Sequence, residues 1–334
     1  MISKLECRFT DLQIQANMSS FKEVIVESGM VNRKRSNDDE DFVTPPPPYI
    51  STVGQIQVES HASQPDEQRN IVASIGFGAT LSMQLGKLPR MLSYWVVDSY
   101  NPATSSIRVN GQTIVVTRET IHDIYGIPMG YIPMSNPLKA NHEDDVVRVW
   151  KSQFPKEVKR IRLNHVIQKI VNDSQVGPLF IMNFLVLYVS VMIGFPSMGT
   201  VNQSFLENIK LDVDINRLDW CGFVLTCLNA SRITWNRHDD KCVFTGPAAF
   251  ILLFYLRFTK MEYGSKEVKT HALIFWTTER LKLREQQEIE KGRFGNVVFH
   301  RMVIGDLVDA WDNEGWWVGR YTRREGDNYI VVFD

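Results

Sequence analysis

Two stretches of this 334-residue chain are apolar on nearly every side: LFIMNFLVLYVSVMIGF, residues 179–195, and AAFILLFYLRF, residues 248–258. A helix without a polar face must be enclosed, either by other elements or by lipid. The first stretch is short for a bilayer span of about 20 residues, contains Asn183 and Ser190, and lacks basic flanks. It therefore reads as a buried core helix. The expected architecture has these two helices at its centre, with amphipathic helices such as RLNHVIQKIVND packed around them. Each central helix is introduced by Gly-Pro, Gly177-Pro178 and Gly246-Pro247, and proline at the first helical position sacrifices no hydrogen bond.

Local signals fill in the rest of this domain. In TRETIHDIYGIP, Thr117 is placed to cap a short helix, Ile121, Ile124 and Tyr125 share one face, and Gly126 then Pro128 stop it. Just upstream, SSIRVNGQTIVVT sets two β-rich runs around Asn110-Gly111, a dipeptide suited to the positive φ angles of a tight hairpin turn. A final helix over Lys266–Lys291 turns strongly charged in RLKLREQQEIEKGR and reads as a solvent-exposed spacer leading out of the domain.

Ahead of the domain, Arg33-Lys34-Arg35, an acidic run at Asp38–Asp41 and Pro45–Pro48 form a segment with little to bury. Such composition favours disorder, and the NRKR run offers a short candidate nuclear import signal. The expected organisation is a disordered tail over 1–66, a helical domain over 67–265, a charged helical linker over 266–295 and a small β module over 296–334.

Charge and cysteine content limit the function classes. With a formal net charge of −1, no global basic field draws the protein to nucleic acid or an acidic membrane, so direct nucleic-acid binding is not indicated and any such contact would be local. Four irregularly spaced cysteines do not make a secreted disulfide framework. The N-terminal MISKLECRFTDLQIQ lacks the apolar run of a signal peptide, so a nuclear or otherwise cytoplasmic location is expected.

The central region resembles a known family. RNIVASIGFGATLSMQLGKLPRMLSYWVVDSYNPATSSIRVNGQTIVVTRETIHDIYGIPMG is similar to the aminotransferase-like plant mobile domain of transposon-related proteins, and LNHVIQKIVN, LDWCGFVLTCL and FTGPAAFILLFYLRF extend the likeness. In that family the domain often precedes a SUMO-protease-like catalytic domain. Despite the family name, no lysine stands out for a pyridoxal Schiff base, and no cofactor is expected.

Three features invite chemical readings. Asp219-Trp220-Cys221-Gly222 superficially resembles the nucleophile turn of SUMO-specific cysteine proteases, but Trp220 interrupts the motif, Ile215 stands where glutamine is expected, and no His-Trp pair lies upstream. His165 is a base only in the abstract, so a buried structural cysteine is preferred over a cysteine-protease-related enzyme. Cys221, Cys227, His238 and Cys242 lack the short Cys-x2-4-Cys clip of a structural zinc site, and no metal is expected. Gly76 and Gly78 of IGFGAT are not followed by Gly-Lys-Ser/Thr and read as tight packing rather than a phosphate loop.

The C-terminal stretch VDAWDNEGWWVGRYTRREGDNYIVVFD spends three of eight tryptophans in seven positions. With period two it reads as three strands, GDLVDAW, WWVGRYT and NYIVVF, joined by polar turns. It resembles the Agenet domain, the plant branch of the Tudor-like family, and implies an SH3-like barrel of which three strands are recognisable. The resemblance places Trp311, Trp317 and Phe333 at aromatic-cage positions, with Trp316 on the opposite pleat face as packing or rim, and carboxylates at Asp309, Asp312 and Glu314 stand beside Trp311. The same aromatics could equally be barrel core. The expectation is a non-enzymatic, mainly α protein with a small hairpin and a Tudor-like barrel, acting as a chromatin-associated reader of histone tails or other basic or methylated peptides. The other reading is a domesticated or decaying transposon-derived helical protein with no ligand site.

Overall fold

The computed structural model describes residues 64–135, 144–172, 176–194, 200–210, 214–239, 242–260, 271–299, 307–312, 315–325 and 328–333. Residues 1–63 of the expected tail, with its NRKR run, lie outside these residues, while positions 64–66 already belong to the first helix. The described chain is mainly helical. It opens with α1 (Gln64–Val72), then α2 (Arg90–Ser99), a sheet of β1 (Tyr100–Asn101), β2 (Ser106–Val109) and β3 (Gln112–Val115), and α3 (Arg118–Tyr125). There follow α4 (Asp145–Ser152), α5 (Leu163–Asn172), α6 (Pro178–Tyr188), α7 (Trp220–Thr234), α8 (Ala248–Phe258) and β4 (Thr259–Lys260). The last elements are α9 (Ala272–Phe275), α10 (Thr278–Glu290), β5 (Val298–Phe299) and the sheet β6 (Leu307–Asp312), β7 (Gly315–Glu325) and β8 (Asn328–Phe333).

Both all-apolar helices sit where their composition demands. Every residue from Ala248 to Leu256 of α8 is buried, as is all of α6 from Met182 to Tyr188. Helix α8 packs against α2 and α3, while α6 carries α5 and α4 on its flanks. Among the described residues no helix is long and apolar enough to cross a membrane. The two polar residues of 179–195 find partners inside the protein. Asn183 Oδ1 accepts from the Trp150 indole N–H at 2.8 Å and pairs reciprocally with the Gln153 amide, and Ser190 Oγ accepts from Asn202 N–H at 2.8 Å.

Local signals translate into observed caps. Thr117 and Thr120 close a capping box at the start of α3, and Gly126 ends it in the left-handed region. Asn110 and Gly111 both take positive φ between β2 and β3, as a two-residue hairpin turn requires. Gly177 caps α6 with Pro178 in its first turn, but Pro247 is itself the N-cap of α8, so the second helix starts one residue later than the parallel implied. Gly76 holds φ at 85°, and a Cβ there would stand 2.4 Å from Pro128 Cγ. That bend delivers Phe77 into the core, where its ring meets Tyr188, Trp220 and Phe184 edge-on at 4.9, 5.1 and 5.8 Å.

The expected solvent-exposed spacer is corrected by the structure. Instead of one helix over Lys266–Lys291, α9 stops at Phe275, Trp276 is extended, and α10 restarts with the Thr277 hydroxyl accepting from Arg280 N–H. Helix α10 is charged, yet Leu281, Arg284 and Glu288 recur on one face and are buried. Thr278 Oγ1 accepts from the N–H groups of Gly86 and Lys87, and Glu285 accepts from Leu92 N–H in the first turn of α2. The charged residues that suggest a spacer are therefore partly used to satisfy backbone groups of the preceding domain.

Candidate functional site

The C-terminal segment forms a three-stranded antiparallel sheet in the order β6-β7-β8. Connections of two residues, 313–314 and 326–327, fix the ladder: Asp312 pairs with Gly315, and Glu325 with Asn328. From the first pairing, Trp311 stands directly opposite Trp316, Ala310 opposite Trp317, and Asp309 opposite Val318. On the other side of β7, Gly319 stands opposite Phe333, and the register slips between Tyr321 and Arg323.

Of the residues expected to bind a peptide, Asp309, Trp311 and Asp312 lie on β6, Trp317 on β7 and Phe333 on β8. Glu314 lies outside the described residues. The ladder puts positions 309, 311 and 316 in one phase of the strand alternation and 312, 317, 319 and 333 in the other. Trp311 and Trp317 thus stand on adjacent rungs but in opposite phases of the alternation, and the tryptophan across the ladder from Trp311 is Trp316. The sequence pattern alone makes Trp316 a packing or rim residue, and the pairing with Trp311 adds to that. The signal was present, because a two-residue connection pairs 312 with 315 and hence 311 with 316.

Cys221 occupies the first turn of α7 and is fully buried. Its Sγ donates to the carbonyls of Ile127 at 3.7 Å and Pro128 at 3.5 Å. Burial, reinforced by the Asp219 carboxylate, pushes the thiol well above its ordinary range, the opposite of what a thiolate nucleophile needs. Asp219 is engaged elsewhere: it accepts from Gly222 N–H at 2.8 Å, capping α7, and from Arg118 Nε at 3.1 Å. Arg118 in turn donates to the Gly130 carbonyl at 2.8 Å. The Asp-Trp-Cys-Gly sequence is accounted for by a helix cap and a packed thiol.

The four zinc-ligand candidates do not converge. Cys227 is buried in α7, its thiol pushed up to about 12 by burial. Cys242 bonds locally, accepting from Asn236 N–H at 3.2 Å and donating to the Thr234 carbonyl at 3.4 Å, while His238 is exposed. Among the described residues no group of three or more histidine, cysteine or carboxylate side chains could hold a metal ion. Gly76 and Gly78 lie in consecutive helical turns, with Gly76 pressed against Pro128 and Asn216.

Residues 58–252 match the model of a family described as "Domain of unknown function (DUF8566)". No curated protein and no solved structure matches the chain. The matched span ends inside α8, whereas the packed elements continue through α10 and β5.

Proposed function

Since the chain belongs to this family of unknown function, its activity has to be read from its own residues, and we propose that it is a non-enzymatic interaction protein whose C-terminal sheet binds basic or methylated peptides. The observation that carries this reading is the β6–β7 hairpin, which gathers Trp311, Trp316 and Trp317 on two adjacent rungs and puts Asp309 and Asp312 on the same strand. A methylated ammonium is a weakly hydrated cation. Aromatic faces attract it through their quadrupoles, at roughly 0.5–2 kcal/mol per good contact, and nearby carboxylates add long-range attraction.

In the finer form of this proposal, the sheet is part of a Tudor-like barrel of the Agenet type, following a helical domain like the plant mobile domain. Trp311, Trp317 and Phe333 form the cage, and Asp309, Asp312 and Glu314 its acidic rim. The protein acts on chromatin in the nucleus, with histone tails as the natural ligand class. Trp311 and Trp317 occupy adjacent rungs in opposite ladder phases, which makes Trp316, the residue paired with Trp311, the variant that separates the two placements.

Fluorescence titration of the full chain with a lysine-rich peptide, unmodified and trimethylated, tests the reading. Tighter binding of the methylated form is expected, weakened by about 1–2 kcal/mol in Trp311→Ala and in Trp317→Ala. Trp316→Ala should spare affinity; if it abolishes binding while Trp317→Ala does not, the site is the directly paired tryptophans. Absence of binding to either peptide would favour a transposon-derived helical protein without a ligand site. Equal binding to both would leave a charge-reading surface with no methyl recognition.

A further inference from the structure

Helix α4 is followed by a basic turn that the peptide-binding reading does not use. In PKEVKRIR, residues 155–162, four cations stand beside one carboxylate, Glu157, giving a local charge of +3 in a chain whose net charge is −1. Lys156, Lys159, Arg160 and Arg162 are all exposed. Among the described residues, none of the four side chains has an ion-pair or hydrogen-bond partner. Several arginines elsewhere are matched to carboxylates, among them Arg118 to Asp219, Arg237 to Asp98, and Arg284 to Glu288.

This turn is not a loose tail. Val158 N–H donates to the Pro155 carbonyl at 3.0 Å and Lys159 N–H to the Glu157 carbonyl at 3.0 Å. At its far end, Val201 N–H donates to the Ile161 carbonyl at 3.1 Å, and Arg162 bridges Thr200. Buried Phe154 and Leu163 anchor the two ends. The four charges therefore project from an ordered backbone, which lowers the ordering cost of engaging a partner. Helix α5 continues the row, because Arg162, His165 and Lys169 recur at i, i+3 and i+7 along one side.

We propose that the Lys156–Arg162 turn is a contact surface for the sugar–phosphate backbone of nucleic acid, binding without regard to sequence. Unpaired cations at short intervals match an anionic polymer, and the two arginines offer bidentate forks for phosphate. The segment has no exposed aromatic residue on which bases could stack, and Val158 and Ile161 are half-buried. It therefore has the means to hold phosphates and neither base readout nor the apolar anchor of a membrane-surface helix.

Fluorescence anisotropy of the full chain with a short mixed-sequence DNA duplex and with a single-stranded RNA tests this. Neutralising four phosphates should give a log–log salt slope of about −3 to −4 on duplex DNA, and each single alanine variant at the four positions should flatten it by about one unit. The combined variant K156A/K159A/R160A/R162A should lose binding while keeping its thermal midpoint, since all four side chains are exposed. Stronger binding to RNA than to DNA would support the surface and name RNA as its source of phosphate. Absence of binding to both would overturn it, as would an unchanged affinity in the combined variant. Equal or tighter four-residue-dependent binding of poly-glutamate, or of phosphatidylserine–phosphatidylcholine vesicles, would also overturn it, in favour of an acidic protein or a membrane.

Discussion

Helix α8 buries nine consecutive residues, Ala248 to Leu256, without a charge among them, whereas α10 buries three of its thirteen, Leu281, Arg284 and Glu288. Helix α8 is held by apolar area and close-packed rings: Phe254 lies between Phe250 at 5.9 Å and Phe258 at 5.1 Å, and Tyr125 meets Phe250 at 5.5 Å. Helix α10 is held by a buried polar network. Glu288 accepts from Arg284 Nε at 2.7 Å, from the Tyr255 hydroxyl at 2.9 and 3.0 Å, and from Gly295 N–H at 3.0 Å. Two further Arg284 donors go to the Thr259 carbonyl at 3.2 Å and hydroxyl at 2.9 Å. Two helices thus reach the same core, one through composition and the other through a few positions whose charges cancel.

The difference matters beyond the helix itself. Area burial is non-directional, so α8 tolerates exchange among apolar side chains of similar volume. A buried charge network is directional and fails when any member is removed, because the partner is left desolvated. Through Gly295 this network also pins the segment that runs into β5, where Val297 accepts from the Asn110 amide at 2.7 Å and Phe299 pairs with Thr259. The hairpin turn and the end of α10 are thereby fastened to one strip of chain.

The largest effect is expected at the centre. Phe254→Ala should cost about 4–5 kcal/mol, because a fully enclosed ring leaves a cavity that helices packed on every side cannot close. Chemical denaturation of the full chain measures it, and a loss below about 1 kcal/mol would mean that α8 is peripheral.

Next comes Glu288→Ala, expected to cost about 3–4 kcal/mol because it leaves the buried Arg284 charge unpaired and the Tyr255 hydroxyl and Gly295 N–H without an acceptor. Combining Arg284→Met with Glu288→Met should regain about 1–2 kcal/mol relative to the single variant, since no unpaired charge then remains buried. Recovery should stop short of the starting stability, because Tyr255 and Gly295 still lack their acceptor. A double variant no better than the single one would show that α10 is held by those hydrogen bonds rather than by charge pairing.

These helices also show where the sequence was legible. The unbroken apolar runs of α6 and α8, the Thr117 cap and the Asn110-Gly111 turn act through neighbours in sequence, so their physics is readable locally. The role of α10 was not, because Arg284 and Glu288 look like any exposed i,i+4 pair until Tyr255 and Thr259 are brought over them by the fold. The β6–β7 ladder is intermediate. Its strands were readable by period two, and the pairing of Trp311 with Trp316 followed from a two-residue connection that was not counted. The basic turn at 156–162 was hidden by averaging, since a net charge of −1 describes no particular surface.

The smallest effect isolates environment from chemistry. Arg148 and Asp145 on α4 form an intrahelical ion pair like Arg284 and Glu288, but their side chains are 66% and 75% exposed instead of 6% and 0%. In water the charges are already well solvated, so pairing adds little Coulomb energy and orders two side chains. Arg148→Ala should therefore change stability by less than about 0.5 kcal/mol, and added salt should erase even that. Asp145→Ala should behave the same way, because the N-cap bonds of α4 to Val146 and Val147 come from Asp144. Denaturant melts of these variants beside Glu288→Ala, at low and high salt, give the contrast directly. A loss at Arg148 comparable to that at Glu288 would mean that helix pairing, rather than burial, sets the energetics of α10, and the distinction between the two ways of docking a helix would fail.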